Sequence, residues 1–147
     1  MSNDWFWEGN VVESLEKHFR KLDWSFVSKA DTATRQTGID LHMRKGDIEL
    51  RIEAKGYPSE LYQRGPKQGT PKRTRPATQA RHWYAEALLC SILRQNDHPT
   101  SIIAIAFPEF DVFTNLANRT GRALEKLGLR TIFVSETGDV RIVGDPI

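Results

Sequence analysis

One cysteine, Cys90, stands in 147 residues. That count excludes an internal disulfide and any zinc site built on several cysteines, and a reducing, cytoplasmic setting is the expectation. No apolar run reaches the roughly 20 residues that a bilayer-crossing helix requires, so no membrane partner is expected. The start, MSNDWFWEGN, has neither a basic leader nor an apolar signal core, and secretion is not expected. The four histidines, His18, His42, His82 and His98, are scattered and show no H-E-x-x-H spacing, which argues against a zinc hydrolase. Gly65 and Gly69 flank Pro-Lys-Gln without a following Lys-Ser or Lys-Thr, so there is no phosphate-cradling P-loop and no ATP-driven movement is expected. Internal repeats and extended low-complexity stretches are also missing.

What is present is an ordinary balance, 39% hydrophobic and 27% charged, in a length that suits one core and a single domain over residues 1–147. The charge is unevenly spread. Between Leu61 and Ala85 lie Arg64, Lys67, Lys72, Arg73, Arg75 and Arg81 and no acid. That stretch carries +6 against +2 for the whole chain, which leaves −4 for the rest. A basic segment on an acidic body suits a locally gripped polyanion, although a solvated loop has the same composition.

The apolar pattern supplies the elements. Val12, Leu15, Phe19 and Leu22 share a helical stripe, which predicts a helix from about Asp4 to Lys21, with Glu8 on that stripe. Trp24 to Lys29 reads as a strand. Ile39, Leu41 and Met43 alternate with polar residues, as do Ile48, Leu50, Ile52 and Ala54, and Arg-Lys-Gly-Asp between them suits a hairpin turn. A turn at Lys45-Gly46 predicts Met43 opposite Ile48, Leu41 opposite Leu50, Ile39 opposite Ile52 and Asp40 opposite Arg51. A glycine- and proline-punctuated basic loop follows at 56–77. A second helix is expected from an N-cap at Thr78 to about Arg94, a doubly buried strand over Ser101 to Phe107, and a third helix from Asn115 to Leu127 stopped by Gly128. RTIFVS and VRIV complete a hairpin. This order predicts an α/β sandwich of three layers, with a central mixed sheet flanked by helices.

The polar face of the first hairpin carries the candidate chemistry. Residues two apart in a strand share a face, so Glu53 and Lys55 point together. Asp40 lies diagonal to Glu53, within roughly 7–8 Å between Cα atoms. Magnesium prefers oxygen ligands and needs only one or two carboxylates, which Asp40 and Glu53 can supply. Lys55 beside it could orient, or take a proton from, a water attacking phosphorus. The competing reading is a surface ion pair worth at most about 1 kcal/mol.

Gly38-Ile39-Asp40 followed by Glu53-Ala54-Lys55 resembles the restriction-endonuclease-like, or PD-(D/E)xK, nuclease superfamily, with Ile39 where the name has proline. The resemblance implies a core of helix, three strands, helix and strand running to Phe107. It implies Asp40 and Glu53 as metal ligands, the carbonyl of Ala54 as a further one, Lys55 as the residue that positions water, and Glu8 as a first-helix carboxylate near the metal. Gln79 corresponds to a helical glutamine of some nuclease branches, with Trp83 where those place tyrosine. The expected activity is hydrolysis of phosphodiester bonds, in DNA, with Mg2+ or a substituting Mn2+. A homodimer would let single sites cut two strands. The alternatives are a non-catalytic nucleic-acid-binding or assembly module, and an RNA nuclease or RNA-binding protein.

Other residues take simpler expectations. Glu13 replaces Glu8 if the first helix is rotated. Arg64, Lys67, Lys72, Arg73 and Arg75 are expected to touch phosphates, which gives affinity with little sequence discrimination. Arg119 and Arg122 solvate the third helix, and His42 covers a strand. Cys90 is expected to be a buried structural thiol, and Trp5, Trp7 and Trp24 to be packing residues rather than platforms for bases.

Overall fold

A computed structural model describes residues 5–30, 40–59, 61 and 65–147. The elements are α1 (Glu8–Lys21), β1 (Ser25–Lys29), β2 (Leu41–Lys45), β3 (Ile48–Ala54), α2 (Pro76–Asp97), β4 (Ile102–Pro108), α3 (Asp111–Leu127), β5 (Arg130–Val134) and β6 (Val140–Val143). The strands form one six-stranded sheet in chain order. β3, β4 and β5 are parallel, and the remaining neighbours are antiparallel. A parallel pair cannot be closed by a tight turn, and α2 and α3 are the crossover segments. Among the described residues the class is α/β, with a mixed, open sheet and three helices.

Two apolar layers sandwich the sheet. On one face Val11, Val12, Leu15 and Phe19 of α1 pack on Leu41, Met43, Leu50, Ile52, Ala54, Ala104 and Ala106. On the other, Ala80, Tyr84 and Ala87 of α2 and Phe113 and Ala117 of α3 pack on Ile105, Phe107 and Phe133. β4 contributes to both layers, as its unbroken apolar run predicts: Ile103 to Phe107 are all at most 2% exposed. Each fully buried isoleucine or phenylalanine side chain among them contributes about 1.5–3 kcal/mol.

Several boundaries differ from the sequence expectation, each for a local reason. α1 begins at Glu8 rather than Asp4, because Trp7 is extended (ψ 140°) and the Phe6 carbonyl accepts from the Tyr57 amide at 2.9 Å. Leu22 is not on the buried stripe; it is the C-cap, 43% exposed. α2 starts two residues before Thr78, with Arg75 as N-cap and Pro76 in the first turn, where its missing N–H costs nothing. It also runs on to Asp97. α3 starts at Asp111 rather than Asn115 and stops as expected at Gly128, whose φ of 72° suits glycine.

The β2–β3 register is shifted by two residues from the predicted one. Met43 pairs with Leu50, Leu41 with Ile52 and Lys45 with Ile48. The turn is Gly46-Asp47, with Gly46 at φ 60° in the first central position that type II′ turns reserve for glycine. A shift of two keeps every side chain on its expected face, so the apolar pattern could not distinguish the registers. Continuing the ladder one step puts Asp40 beside Glu53 instead of Arg51. Gly38 and Ile39 lie outside the described residues.

Candidate active site at the end of β3

β3 buries Ile52 and Ala54 against α1 and turns Arg51, Glu53 and Lys55 toward the α2 side. Asp40, just before β2, is anchored across the ladder: its Oδ2 accepts from the Ala54 backbone N–H at 2.7 Å. The Lys55 amide donates to the Ala106 carbonyl at 3.0 Å, extending the β3–β4 pairing through the lysine. Lys55 Nζ lies 4.0 Å from Glu53 Oε1 and donates to Glu86 Oε1 at 3.3 Å. Glu53 Oε2 lies 4.0 Å from the Arg94 guanidinium.

Glu8 reaches this group because the chain before α1 is pressed onto the end of β3. Gly56 makes that approach possible. A Cβ on Gly56 would stand 2.7 Å from both the Glu8 amide nitrogen and the Phe6 carbonyl oxygen. The glycine directly after Lys55 is therefore the point where strand end and helix start touch.

The electrostatics are those of crowded, half-buried acids. Burial, and next the charge of Asp40, pushes Glu8 up to about 7, against the pull of Lys55. Burial and Asp40 likewise push Glu53 up to about 7, with Lys55 and Arg94 opposing. Asp40 is raised by burial although the Ala54 amide and the two cations work the other way. Glu8 opens α1, where the helix dipole favours a carboxylate, and burial still prevails. Burial works against the Lys55 ammonium, but Glu86, Glu53 and Glu8 together outweigh it and its pKa is raised. Glu13 is exposed and lines a different cavity with Lys29, so Glu8 is the α1 carboxylate that faces Asp40 and Glu53.

Two partners were missed by sequence reasoning: Glu86, which holds Lys55, and Arg94, which faces Glu53. Both lie on a stripe of α2 that also carries Gln79, Trp83 and Cys90, at spacings of four, three, four and four. Helical periodicity alone could have shown that stripe. Gln79 Oε1 and Glu53 Oε2 are buried with no hydrogen-bond partner among the described residues. Cys90 is half-buried rather than fully buried, and burial and Glu53 raise its thiol pKa, which disfavours a thiolate nucleophile.

The expected phosphate-contacting side chains differ in exposure. Lys67, Arg73 and Arg75 are exposed and Lys72 is half-buried, while Arg64 lies outside the described residues. Arg119 and Arg122 are exposed on α3. His42 bonds Glu49, which Arg44 Nε also contacts at 2.6 Å, so this histidine belongs to a strand-surface ion cluster. Trp24 is buried against Phe19 and Trp5 stacks on Phe110, both as expected of packing residues. Trp7 packs over Gly9 at the start of α1 but remains 51% exposed.

The donor chemistry suits a hard divalent ion, since the acids offer carboxylate oxygens and Glu53 Oε2 has no hydrogen-bond partner among the described residues. Among the described residues, however, no group of three or more His, Cys, Asp or Glu is disposed as a ready-made metal cage. Magnesium does not demand one, because it retains several waters and takes one or two protein carboxylates. Among the described residues no helix is long and apolar enough to cross a membrane. The chain matches no protein-family model, no curated protein and no solved structure.

Proposed function

We propose that this chain is a divalent-metal-dependent nuclease that hydrolyses phosphodiester bonds in DNA, on a core of the restriction-endonuclease-like type. One observation carries the reading: Glu8, Asp40, Glu53 and Lys55, from three separate segments, are close enough that the Asp40 charge raises both glutamates, Glu8 raises Glu53, and Lys55 acts on all three acids. An exposed ion pair would not be half-buried, nor would it leave a buried carboxylate oxygen without a partner among the described residues. Asp40 and Glu53 would hold Mg2+, or Mn2+ in its place, with the carbonyl of Ala54, the residue after Glu53, as a further ligand. A bound cation there supplies charge neutralisation at the phosphoryl oxygens and a lowered pKa for water.

The side chains divide the remaining work. Lys55, with its pKa raised, stays an ammonium, so it donates to and orients a water rather than taking its proton. Glu8, near 7, can hold or release a proton at neutral pH. Arg94 and Glu86 set the positions of Glu53 and Lys55 from α2. The basic segment supplies non-specific phosphate contacts, and a two-fold pair of chains would bring two sites to a duplex.

The test is cleavage of duplex, single-stranded and branched DNA, and of RNA, in Mg2+ and Mn2+. Asp40→Ala and Glu53→Ala should each abolish cleavage and leave binding within about threefold. Cleavage that survives both substitutions, or excess chelator, refutes the mechanism. The alternative is a non-catalytic nucleic-acid-binding module. Binding without turnover on every substrate would select it.

A further inference from the structure

A cavity of about 240 Å3 opens directly beside the acid cluster, lined by Trp7, Glu8, Lys55, Gly56, Tyr57 and Trp83. Half of its lining residues are aromatic and the other half belong to, or adjoin, the candidate active site. The aromatic walls are held in place. The Tyr57 ring stacks on Phe110 at 3.9 Å with 9° between planes and meets Phe113 edge-on at 5.9 Å. Trp83 is half-buried on α2, in line with Glu86 and Arg94. Trp7 lies over the backbone of Gly9, where any Cβ would meet its ring at 2.6 Å. Gly9 thus leaves room for an indole to lie against the helix start while half of it faces solvent.

Fold stability does not account for this placement. An exposed indole forgoes burial that Trp24 obtains in the same chain. We infer that the cavity is a stacking site for one unpaired nucleobase, the neighbour of the phosphate that the acid cluster would address. This rests on the nuclease reading for the identity of the phosphate, and on the aromatic walls for the base. The space is below the roughly 300–1,000 Å3 of sites for drug-sized ligands, which suits a single heterocycle. A base inside a duplex has both faces covered by its neighbours. Only a single strand, a frayed or forked end or an extruded nucleotide can therefore enter. Lys55 at the cavity edge provides a cation for the adjoining phosphate.

The test measures binding without turnover, with the full chain in excess chelator. Labelled single-stranded DNA, a forked duplex and a blunt duplex are compared by anisotropy, each with a matched strand carrying abasic sites. The expected result is tighter binding of the single strand and fork than of the blunt duplex. Trp7→Ala should weaken single-strand binding about 10-fold and duplex binding less than about twofold. Trp7→Phe, which keeps a ring, should retain most of the affinity, and its unfolding curve separates loss of stacking from loss of fold. Abasic strands should reproduce the Trp7→Ala loss in the wild type and add nothing to it in the variant. Equal binding of base-bearing and abasic strands, or a Trp7→Ala loss shared equally by duplex and single strand, overturns the site. The two readings can fail separately. Trp7-dependent base stacking with no cleavage in any metal keeps the cavity assignment and removes the nuclease. Cleavage of single strands at an unchanged rate and affinity in Trp7→Ala does the reverse.

Discussion

Replacing Gly56 with alanine would place a methyl carbon 2.7 Å from the Glu8 amide nitrogen, 2.7 Å from the Phe6 carbonyl oxygen and 3.3 Å from the Trp7 carbonyl carbon. All three obstacles are backbone, so no side chain can swing aside. The segment 6–8 must move away from β3 or the strand end must bend. Overpacking of this kind costs about 1–3 kcal/mol. The Tyr57 N–H to Phe6 carbonyl bond, 2.9 Å here, lies at the same contact and would be strained, at a cost of about 0.5–1.5 kcal/mol if lost. Against this, alanine restricts the unfolded chain and returns about 0.4–1 kcal/mol. The net loss is about 2 kcal/mol, or roughly 4–8 °C in Tm for a chain of this length. Denaturant unfolding should show a lower midpoint with an unchanged m-value. A chain with ordinary stability of about 5–15 kcal/mol remains folded after such a loss. Cleavage should nevertheless fall well beyond the folded fraction, because Glu8 is carried away from Asp40 and Lys55. Gly121→Ala is the control: it lies in α3 with nothing within 4 Å of an added Cβ. It should stabilise by about 0.5–1 kcal/mol. A Gly56→Ala protein within about 0.5 kcal/mol of the wild type would refute the steric argument.

Protons should be taken up at Glu8 and Glu53 on folding, since both move from 4.5 to about 7 and Asp40 shifts in the same direction. Their contribution to stability is thus full below about pH 4.5 and is lost as pH rises toward 7, and Glu53→Gln should flatten that slope in thermal unfolding. A divalent ion competes with those protons, so Mg2+ should raise Tm at about pH 8 and hardly at all near pH 5; equal shifts at both would count against a carboxylate site. Replacing Lys72, Arg73 and Arg75 together with alanine should reduce the slope of log affinity for duplex DNA against log salt by roughly 0.9 for each phosphate contact removed. An unchanged slope would show that this segment does not grip the backbone.

Much of the architecture follows from local pattern. The doubly apolar run Ile102–Pro108 occupies the sheet centre, where only a strand covered on both faces can sit. Gly128 ends α3 because a left-handed residue is needed there. The helix starts were harder to place. Pro76 set one of them, and the tie between Phe6 and Tyr57, a contact across fifty-one residues of chain, set another. No periodicity within a window encodes such a long-range contact. The hairpin register escaped for a different reason: shifts by two residues leave the alternation intact, and only the backbone angle at Gly46 distinguishes them.

The candidate site divides along the same line. From residue order alone, Glu53 and Lys55 share a face of one strand, because side chains alternate along any extended chain. Asp40 is near them because a hairpin returns the chain to its start. What tertiary structure decided is the depth and company of that group. Packing α2 over β3 brought Glu86 and Arg94 to it and buried its acids, and the close approach at Gly56 brought Glu8. The same packing made a cavity from Trp7, Tyr57 and Trp83, three residues far apart in sequence. Local alternation determines which way a side chain points; the dielectric around it and the charges facing it depend on segments that meet only when the chain has folded.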